Sequence, residues 1–525
     1  MLPSARSMNE NLSKEDVFNQ LSRILRSQAF RNSEMLRNFL SYIVREKLRD
    51  REENIKQYSI AVEAFGRSPN FDANADPIVR IQAGRLRQNL DAYYQHEGGE
   101  DAIRISLPKG SYVPSFSYNP PGADKGTAPG VAANEGLRQS IAIFPIRNLS
   151  AENALQMVVD GFTEELLTEL SRYRHLNVVR VNEELNPSTR SSLSRFALEG
   201  SLRFGATLAK ISLTLTDSFN QQVLWTMQRK FDAEINDIIL LQEEIAAEVA
   251  QHIAGLSGVV VEKLQSESNW ETTQSPSAFD TFLHIFTYNY DNSPENTERV
   301  LAKVAKAVEA EPEFALGWAV LARIYADAYI FTLMPSLEKA LECGQRAVKL
   351  QPNNQSCQGY YAYALMVSEQ YEKAKEHCRR TLELNPNSFY YVGSMGFLFC
   401  LMDEQERGRE LIHGSISRDF RYPWWFHVGT YMYHLNREEY ELALGEAQKI
   451  DTPHFWTSLI KLVAHHKLGQ EELAMKQLQD LMEIKPDFFD HSSEYVCALL
   501  KSEPPRAVIL NALQEVIYLS QDFHG

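Results

Sequence analysis

Residues 76–116 read DPIVRIQAGRLRQNLDAYYQHEGGEDAIRISLPKGSYVPSF, and two periodicities meet in them. Val79, Ala83, Leu86, Leu90, Tyr93 and Tyr94 recur at helical spacing, which predicts a helix with one apolar stripe turned inward. Arg80, Gly84, Arg87, Gln88 and Asp91 fall on the opposite face. Gly98-Gly99 breaks the chain, Ile103 and Ile105 alternate with Arg104 and Ser106 as in a strand, and Pro108-Lys109-Gly110 is expected to turn that strand back into Tyr112-Val113. The reading is a helix followed by a β-hairpin with a cationic tip. Arg and Gln on an exposed helix face can pair with guanine or adenine edges in a major groove, and a cationic hairpin beside them suits phosphate. The plainer reading is a small structural domain whose basic helix face is merely solvated.

Val79-x-Ile81-x-Ala83-x-Arg85-Leu86-Arg87-x-x-Leu90, then a strand and Lys109-Gly110-Ser111-Tyr112, resembles the C-terminal half of PhoB/OmpR-type winged helices. Residues 30–48 and 55–66 are similar to the first two helices of that family, with Phe65-Gly66 where Trp-Gly is common. Gly84, Ser111 and Pro114 depart from the family pattern. The resemblance implies a winged helix over 21–118 that binds double-stranded DNA. Arg80, Gln82, Arg85, Arg87 and Gln88 would lie along the major groove, and Arg104, Lys109 and Ser111 would place the wing. Winged helices of this type often bind tandem half-sites, which implies a homodimer on DNA. The charge balance agrees in direction: residues 21–118 hold 15 Lys and Arg against 12 Asp and Glu, whereas residues 119–525 hold 36 against 54. Phosphate neutralisation needs cations, so an acidic remainder points DNA towards the N-terminal region.

At 525 residues the chain is expected to hold about three domains. With 44% hydrophobic and 23% charged residues it has the composition of a folded globular protein. No apolar run approaches the ~18 residues of a membrane span, and MLPSARSMNENLSKEDV lacks the apolar core of a secretory signal. Cys343, Cys357, Cys378, Cys400 and Cys497 show no C-x-x-C spacing and read as free thiols, so the expected location is cytoplasmic. Residues 1–20 are expected to be a flexible leader, with a helix start at Ser13 to Asp16. A leader of that length cannot hold a phospho-accepting receiver domain, so any signal is expected from the C-terminal side.

Residues 119–137 (PPGADKGTAPGVAANEG at their centre) form a linker by composition. From Ile141 the pattern changes to strand, helix, strand (141–145, 160–173, 178–181), then three alternating segments (196–203, 209–217, 223–231) and a helix over 238–253. Ile141-Ala-Ile-Phe-Pro-Ile-Arg-Asn-Leu-Ser150, Asp160-Gly-Phe-Thr-Glu-Glu-Leu166 and Leu198-Glu-Gly-Ser-Leu-Arg203 resemble the TolB-N-like domain, which implies a small α/β sheet domain over 138–255. Asp160, Glu164, Glu165 and Glu199 are the only carboxylate group there that invites a catalytic reading. Their positions suit the N-terminal end of a helix, and no nucleophile, metal-ligand set or phosphate loop accompanies them.

After a second linker (256–274), the text becomes helical and repetitive over 275–520. Pro352 and Pro386 lie about 34 residues apart and Pro453 and Pro486 about 33, close to the tetratricopeptide (TPR) period. About six or seven repeats are expected, the first (282–311) degenerate, stacked into an α-solenoid whose concave face holds a protein or peptide partner. Phe389-Tyr390-Tyr391, Tyr422-Pro-Trp424-Trp425-Phe426, Tyr431 and Tyr433 are either repeat core or the lining of that face. His427, His434, His465 and His466 lack ligand spacing, so no metal is expected.

The sequence thus predicts a multidomain, mostly α chain: N-terminal winged helix (α+β), small α/β sheet domain, C-terminal α-solenoid of TPR helix pairs. The function expected from the resemblance is a sequence-specific DNA-binding transcriptional regulator with no catalytic residues, cofactor, metal or membrane partner, informed by its C-terminal domains. The alternative is a TPR interaction scaffold whose N-terminal domain does not read DNA. A third reading follows from adenylate cyclases, whose middle and C-terminal domains look similar. It is disfavoured because no segment remains for a cyclase catalytic domain.

Overall fold

A computed structural model describes residues 13–27, 30, 33–68, 78–98, 101–108, 111–118, 137–150, 155–182, 193–232, 237–268, 270, 273, 277–284, 294–418 and 422–522. The chain divides into two compact units near Leu137.

In the first unit helix α1 (Lys14–Arg26) starts at Ser13, whose hydroxyl accepts the Asp16 N–H at 3.1 Å. Its Val17, Gln20, Leu21 and Ile24 are buried, so the folded region begins inside the expected leader. Helix α2 (Glu34–Leu48) follows, then a short helical run (Gln57–Ser59 into Ile60–Ala64) and helix α3 (Ile78–His96). The apolar stripe read from the sequence is the buried face of α3: Val79, Ala83, Leu86, Leu90, Tyr93 and Tyr94 share one core with Phe39, Ile43, Ile103 and Ile105. Asp101 gathers the unit's corner, accepting hydrogen bonds from Gln20, Arg23 and the Tyr93 hydroxyl.

Strands β1 (Ile103–Ser106) and β2 (Ser115–Tyr118) pair antiparallel, Ile103 opposite Tyr118 and Ser106 opposite Ser115. The returning strand therefore lies beyond Tyr112-Val113, which belong to the connecting loop. Across the turn expected at 108–110 the Ser111 N–H donates to the Pro108 carbonyl at 3.3 Å, while Lys109 and Gly110 lie outside the described residues.

The second unit opens with a six-stranded sheet. Strands β3 (Ser140–Ile143) and β5 (Asn177–Arg180) run parallel, joined by helix α4 (Gln156–Ser171), as the strand–helix–strand pattern predicts. Strand β4 (Arg147–Asn148) and β3 both pair with β6 (Phe196–Phe204), which continues antiparallel into β7 (Leu208–Asp217) and β8 (Gln222–Asp232). Alternate residues of β7, Ala209, Ile211, Leu213 and Leu215, are buried against the helices. Helix α5 (Ile238–Ala254) packs beside α4. The expected linker over 256–274 is instead partly helix α6 (Val259–Glu267), which buries Val260, Val261 and Leu264. Nine residues give too short a stripe to stand out from sequence.

Helices α7 (Ala278–His284) and α8 (Pro294–Ala310) occupy the expected degenerate repeat. Six helix pairs follow among the described residues: α9 (Ala315–Thr332) with α10 (Leu337–Leu350), α11 (Gln355–Val367) with α12 (Tyr371–Leu384), α13 (Phe389–Leu401) with α14 (Gln405–Ile416), α15 (Trp425–Leu435) with α16 (Tyr440–Gln448), α17 (Phe455–Lys467) with α18 (Glu471–Ile484), and α19 (Ser492–Leu499) with α20 (Glu503–Asp522). The C-terminal part is thus a helical-repeat array. One continuous apolar cluster runs from Ile141 of the sheet to Tyr391 of α13, and Asn387 donates to Glu169 at 2.9 Å, so sheet and array fold as one body.

The array curls until its beginning meets its end. Phe331 of α9 packs edge-on against His454 and Phe455 at the start of α17, with centroids 5.0 and 6.3 Å apart. Lys501, beyond α19, lies 5.3 Å from the Tyr329 ring centroid. Ala326 and Ile330 of α9 share a core with Val496 and Leu499 of α19. The expected open concave face is accordingly closed down to a pocket.

Candidate functional site

The first helices of successive pairs turn their inner faces into this pocket, which encloses about 850 Å³ of non-protein space, its open mouth included. Helix α9 supplies Arg323 and Asp327, α11 Tyr360 and Tyr363, α13 Tyr390 and Tyr391, and Trp424, Trp425 and Trp456 close the far side. Arg323 and Asp327 are the only charged residues of α9 and are 7% and 6% exposed. Taking two charges out of water costs several kcal/mol each, and their attraction repays that only with good geometry. The geometry is loose: Arg323 Nε lies 3.4 Å from Asp327 Oδ2, and Arg323 Nη1 lies 3.3 Å from the Tyr390 hydroxyl. Asp327 Oδ1 accepts the Tyr363 hydroxyl at 2.8 Å. Burial pushes the Asp327 carboxyl above the usual carboxylate range, against the opposing pull of Arg323.

The Arg323 guanidinium sits 5.7 Å from the Tyr360 ring centroid and 5.6 Å from that of Trp425, a cation between two π faces. The buried indole nitrogens of Trp424 and Trp456 have no hydrogen-bond partner among the described residues. Tyr390, Trp424 and Trp425 are half-buried at the rim, whereas Tyr391 and Trp456 are buried. The aromatic clusters therefore divide: these residues line the pocket, while Phe426 and Tyr431 are repeat core. Sequence reasoning passed over Arg323 and Asp327. Their signal was a lone opposite-charge pair at i, i+4 in an otherwise uncharged 18-residue helix.

Among the described residues, those expected to contact DNA divide between exposed and buried positions. Arg80 and Arg85 are exposed on α3, Arg80 reaching the Tyr112 hydroxyl. Gln82 is 8% exposed and belongs to the core side of α3, which corrects its placement on a groove-facing surface. Arg87 is likewise corrected. It donates to the carbonyls of Leu107 (2.8 Å), Pro108 (3.0 Å) and Ser111 (3.0 Å), so its guanidinium braces the loop between the strands. Ser111 stays in that loop, its hydroxyl accepting the Val113 N–H at 3.0 Å. Arg104 is half-buried with its guanidinium 5.0 Å from the Tyr94 ring centroid. Lys109 and the side chain of Gln88 lie outside the described residues.

The remaining candidates resolve into structural roles. Asp160 accepts from Gln156 at 2.8 Å in the second turn of α4 and Glu164 pairs with Arg180, so neither caps the helix start expected there. His427, His434 and His466 each pair with a Glu, and His465 with Gln470. Burial pushes the thiols of Cys343 and Cys400 up to about 12, which leaves them unreactive.

No family model matches the chain. It is 26% identical over 249 residues to a protein of Rhizobium meliloti (strain 1021) named "Putative adenylate cyclase 3", a match covering 44% of this chain and 40% of that protein. The chain therefore matches less than half the length of this relative. Among solved structures, the Pseudomonas aeruginosa pilF protein aligns with 41% of this chain and 95% of its own at 16% identity and a TM-score of 0.30. The Cut9–Hcn1 hetero-tetramer of the APC/C aligns with 55% of this chain and 53% of its own at 12% identity and a TM-score of 0.34. Among the described residues no helix is long and apolar enough to cross a membrane.

Proposed function

We propose that this chain is a non-catalytic interaction scaffold whose helical array recognises a protein partner at the mouth of its interior pocket. The observation that supports this most is the rim itself. Tyr390, Trp424 and Trp425 are half-buried aromatics around a desolvated cation, the residue types that dominate binding energy where a partner side chain is anchored. A defined partner protein is expected to be retained by the full-length chain in affinity capture and lost from Trp425→Ala, with the melting curve of the variant unchanged in shape. Equal capture by both chains would remove the pocket mouth from the reading.

A second reading has its own observation. Arg80 and Arg85 are exposed on a helix that leads into a two-stranded hairpin, the arrangement the winged-helix resemblance implies for DNA. In that reading the same chain binds duplex DNA through the N-terminal unit. Binding weakens with salt, and Arg80→Ala/Arg85→Ala lowers the slope of log K against log salt by about 2, one per phosphate contact. An unchanged slope discards these two residues as DNA contacts.

A further inference from the structure

We propose that the interior pocket binds a small carboxylic acid with a flat apolar body, its carboxylate received by Arg323 and its body held among the aromatic rings. The inference rests on the array being the recognition module and names what enters it.

Three observations converge. Donors are prominent among the polar groups around the pocket: the Arg323 guanidinium, and the indole N–H groups of Trp424 and Trp456, which have no acceptor among the described residues. The one carboxylate present, Asp327, already takes the Tyr363 hydroxyl at 2.8 Å. A complementary ligand must therefore supply acceptor oxygens.

Two of the contacts that hold Arg323, 3.4 Å to Asp327 and 3.3 Å to Tyr390, are long beside the ~2.7–2.9 Å of charge-assisted bonds to a carboxylate. An incoming carboxylate gains by exchanging them. The walls, finally, are rings, with Tyr360 and Trp425 each within 6 Å of the guanidinium.

Closure of the array selects size. Because α9 meets α17 and α19, the interior space is bounded where the array closes on itself, which favours a compact ligand over an extended one. A basic ligand is disfavoured by the buried guanidinium.

The test uses the full-length chain with 4-phenylbutyrate, 4-phenylbutanamide and 4-phenylbutylamine, followed by calorimetry and by quenching of tryptophan fluorescence. The acid is expected to saturate at least about tenfold tighter than the amide, and the amine not to saturate. Arg323→Met alone strands Asp327 and endangers folding, so the informative variant is Arg323→Met/Asp327→Leu, which removes both charges together. With its melting transition intact, this variant is expected to bind acid and amide alike. The proposal is overturned by an amine that binds as well as the acid, by a double variant that keeps the preference, or by no saturable binding of the acid. If acid binding is absent while partner capture through Trp425 persists, the ligand class falls and the scaffold stands; loss of both removes the two together.

Discussion

Arg87 sits two residues from Arg85 on α3, and the difference in their surroundings decides what each can do. The Arg87 guanidinium is turned to three carbonyls of one loop, whereas Arg85 is exposed. Hydrogen bonds from charged donors contribute about 1.5–3 kcal/mol each, less when they share one group, so Arg87→Met is expected to lower the stability of the N-terminal unit by roughly 2–4 kcal/mol. Chemical denaturation followed in that unit checks this; an unchanged midpoint would return Arg87 to the list of surface cations. Helical spacing identified the inward stripe of α3 correctly residue by residue, because periodicity reports which side of a helix is apolar. It placed Arg87 on the outer face because period carries no information about a long polar side chain folding back on its own unit, and Gln82 was misplaced by the resemblance rather than by the spacing. Arg323 illustrates the converse. Its buried setting depends on the rings of three other helices, which no local pattern contains.

At the scale of the element, the helix pairs were legible wherever small residues and prolines punctuate them. Gly396 of α13 and Gly408 of α14 show why. A Cβ on Gly408 would stand 2.6 Å from the Gly396 carbonyl oxygen and 2.7 Å from the Cys400 nitrogen, so only glycine allows the two helices this approach. Gly408→Ala is expected to cost about 1–3 kcal/mol by forcing them apart. A Cβ on Gly414 of the same helix would meet nothing within 4 Å, and Gly414→Ala is expected to stabilise by about 0.5–1 kcal/mol through lower chain entropy in the unfolded state. Thermal melts of both variants test the pair; the same sign for both would contradict the packing described. The hairpin was legible in its first strand and not its second, since the position of β2 follows from the brace under the loop rather than from alternation. Helix α6 escaped because a single short apolar stripe looks like linker text.

For the whole molecule, two buried histidines tie stability to pH. Burial lowers His175 to about 4 and His454 to about 3. His175 lies between Tyr173 and Phe282, where the sheet meets the array, and the Nδ1 of His454 accepts the Trp456 N–H at the start of α17. Both must be neutral in the folded state, while in the unfolded chain they protonate near 6.5. Their contribution is complete above about pH 6.5 and is lost as pH falls towards 4, by roughly 3 kcal/mol for His175 alone. Urea titrations between pH 7.5 and 4.5 should show this loss, and His175→Leu should flatten it; a flat profile in the unaltered chain would refute the burial. The mostly helical character, the small sheet and the C-terminal helical-repeat array were readable from sequence because each rests on local period and punctuation. Closure of the array was not, because it depends on how small rotations accumulate over six helix pairs.

That closure makes the central claim testable at a single position. A photoreactive amino acid replacing Ser394, on the pocket wall, is compared in the full-length chain with one replacing Gly414, on α14 with open space around it. Cross-linking of a defined partner protein from position 394 and its absence from position 414 is the result the scaffold account predicts. Equal cross-linking at both positions, or none at 394 while DNA is bound selectively by the same preparation, would contradict it and shift the account to the N-terminal unit.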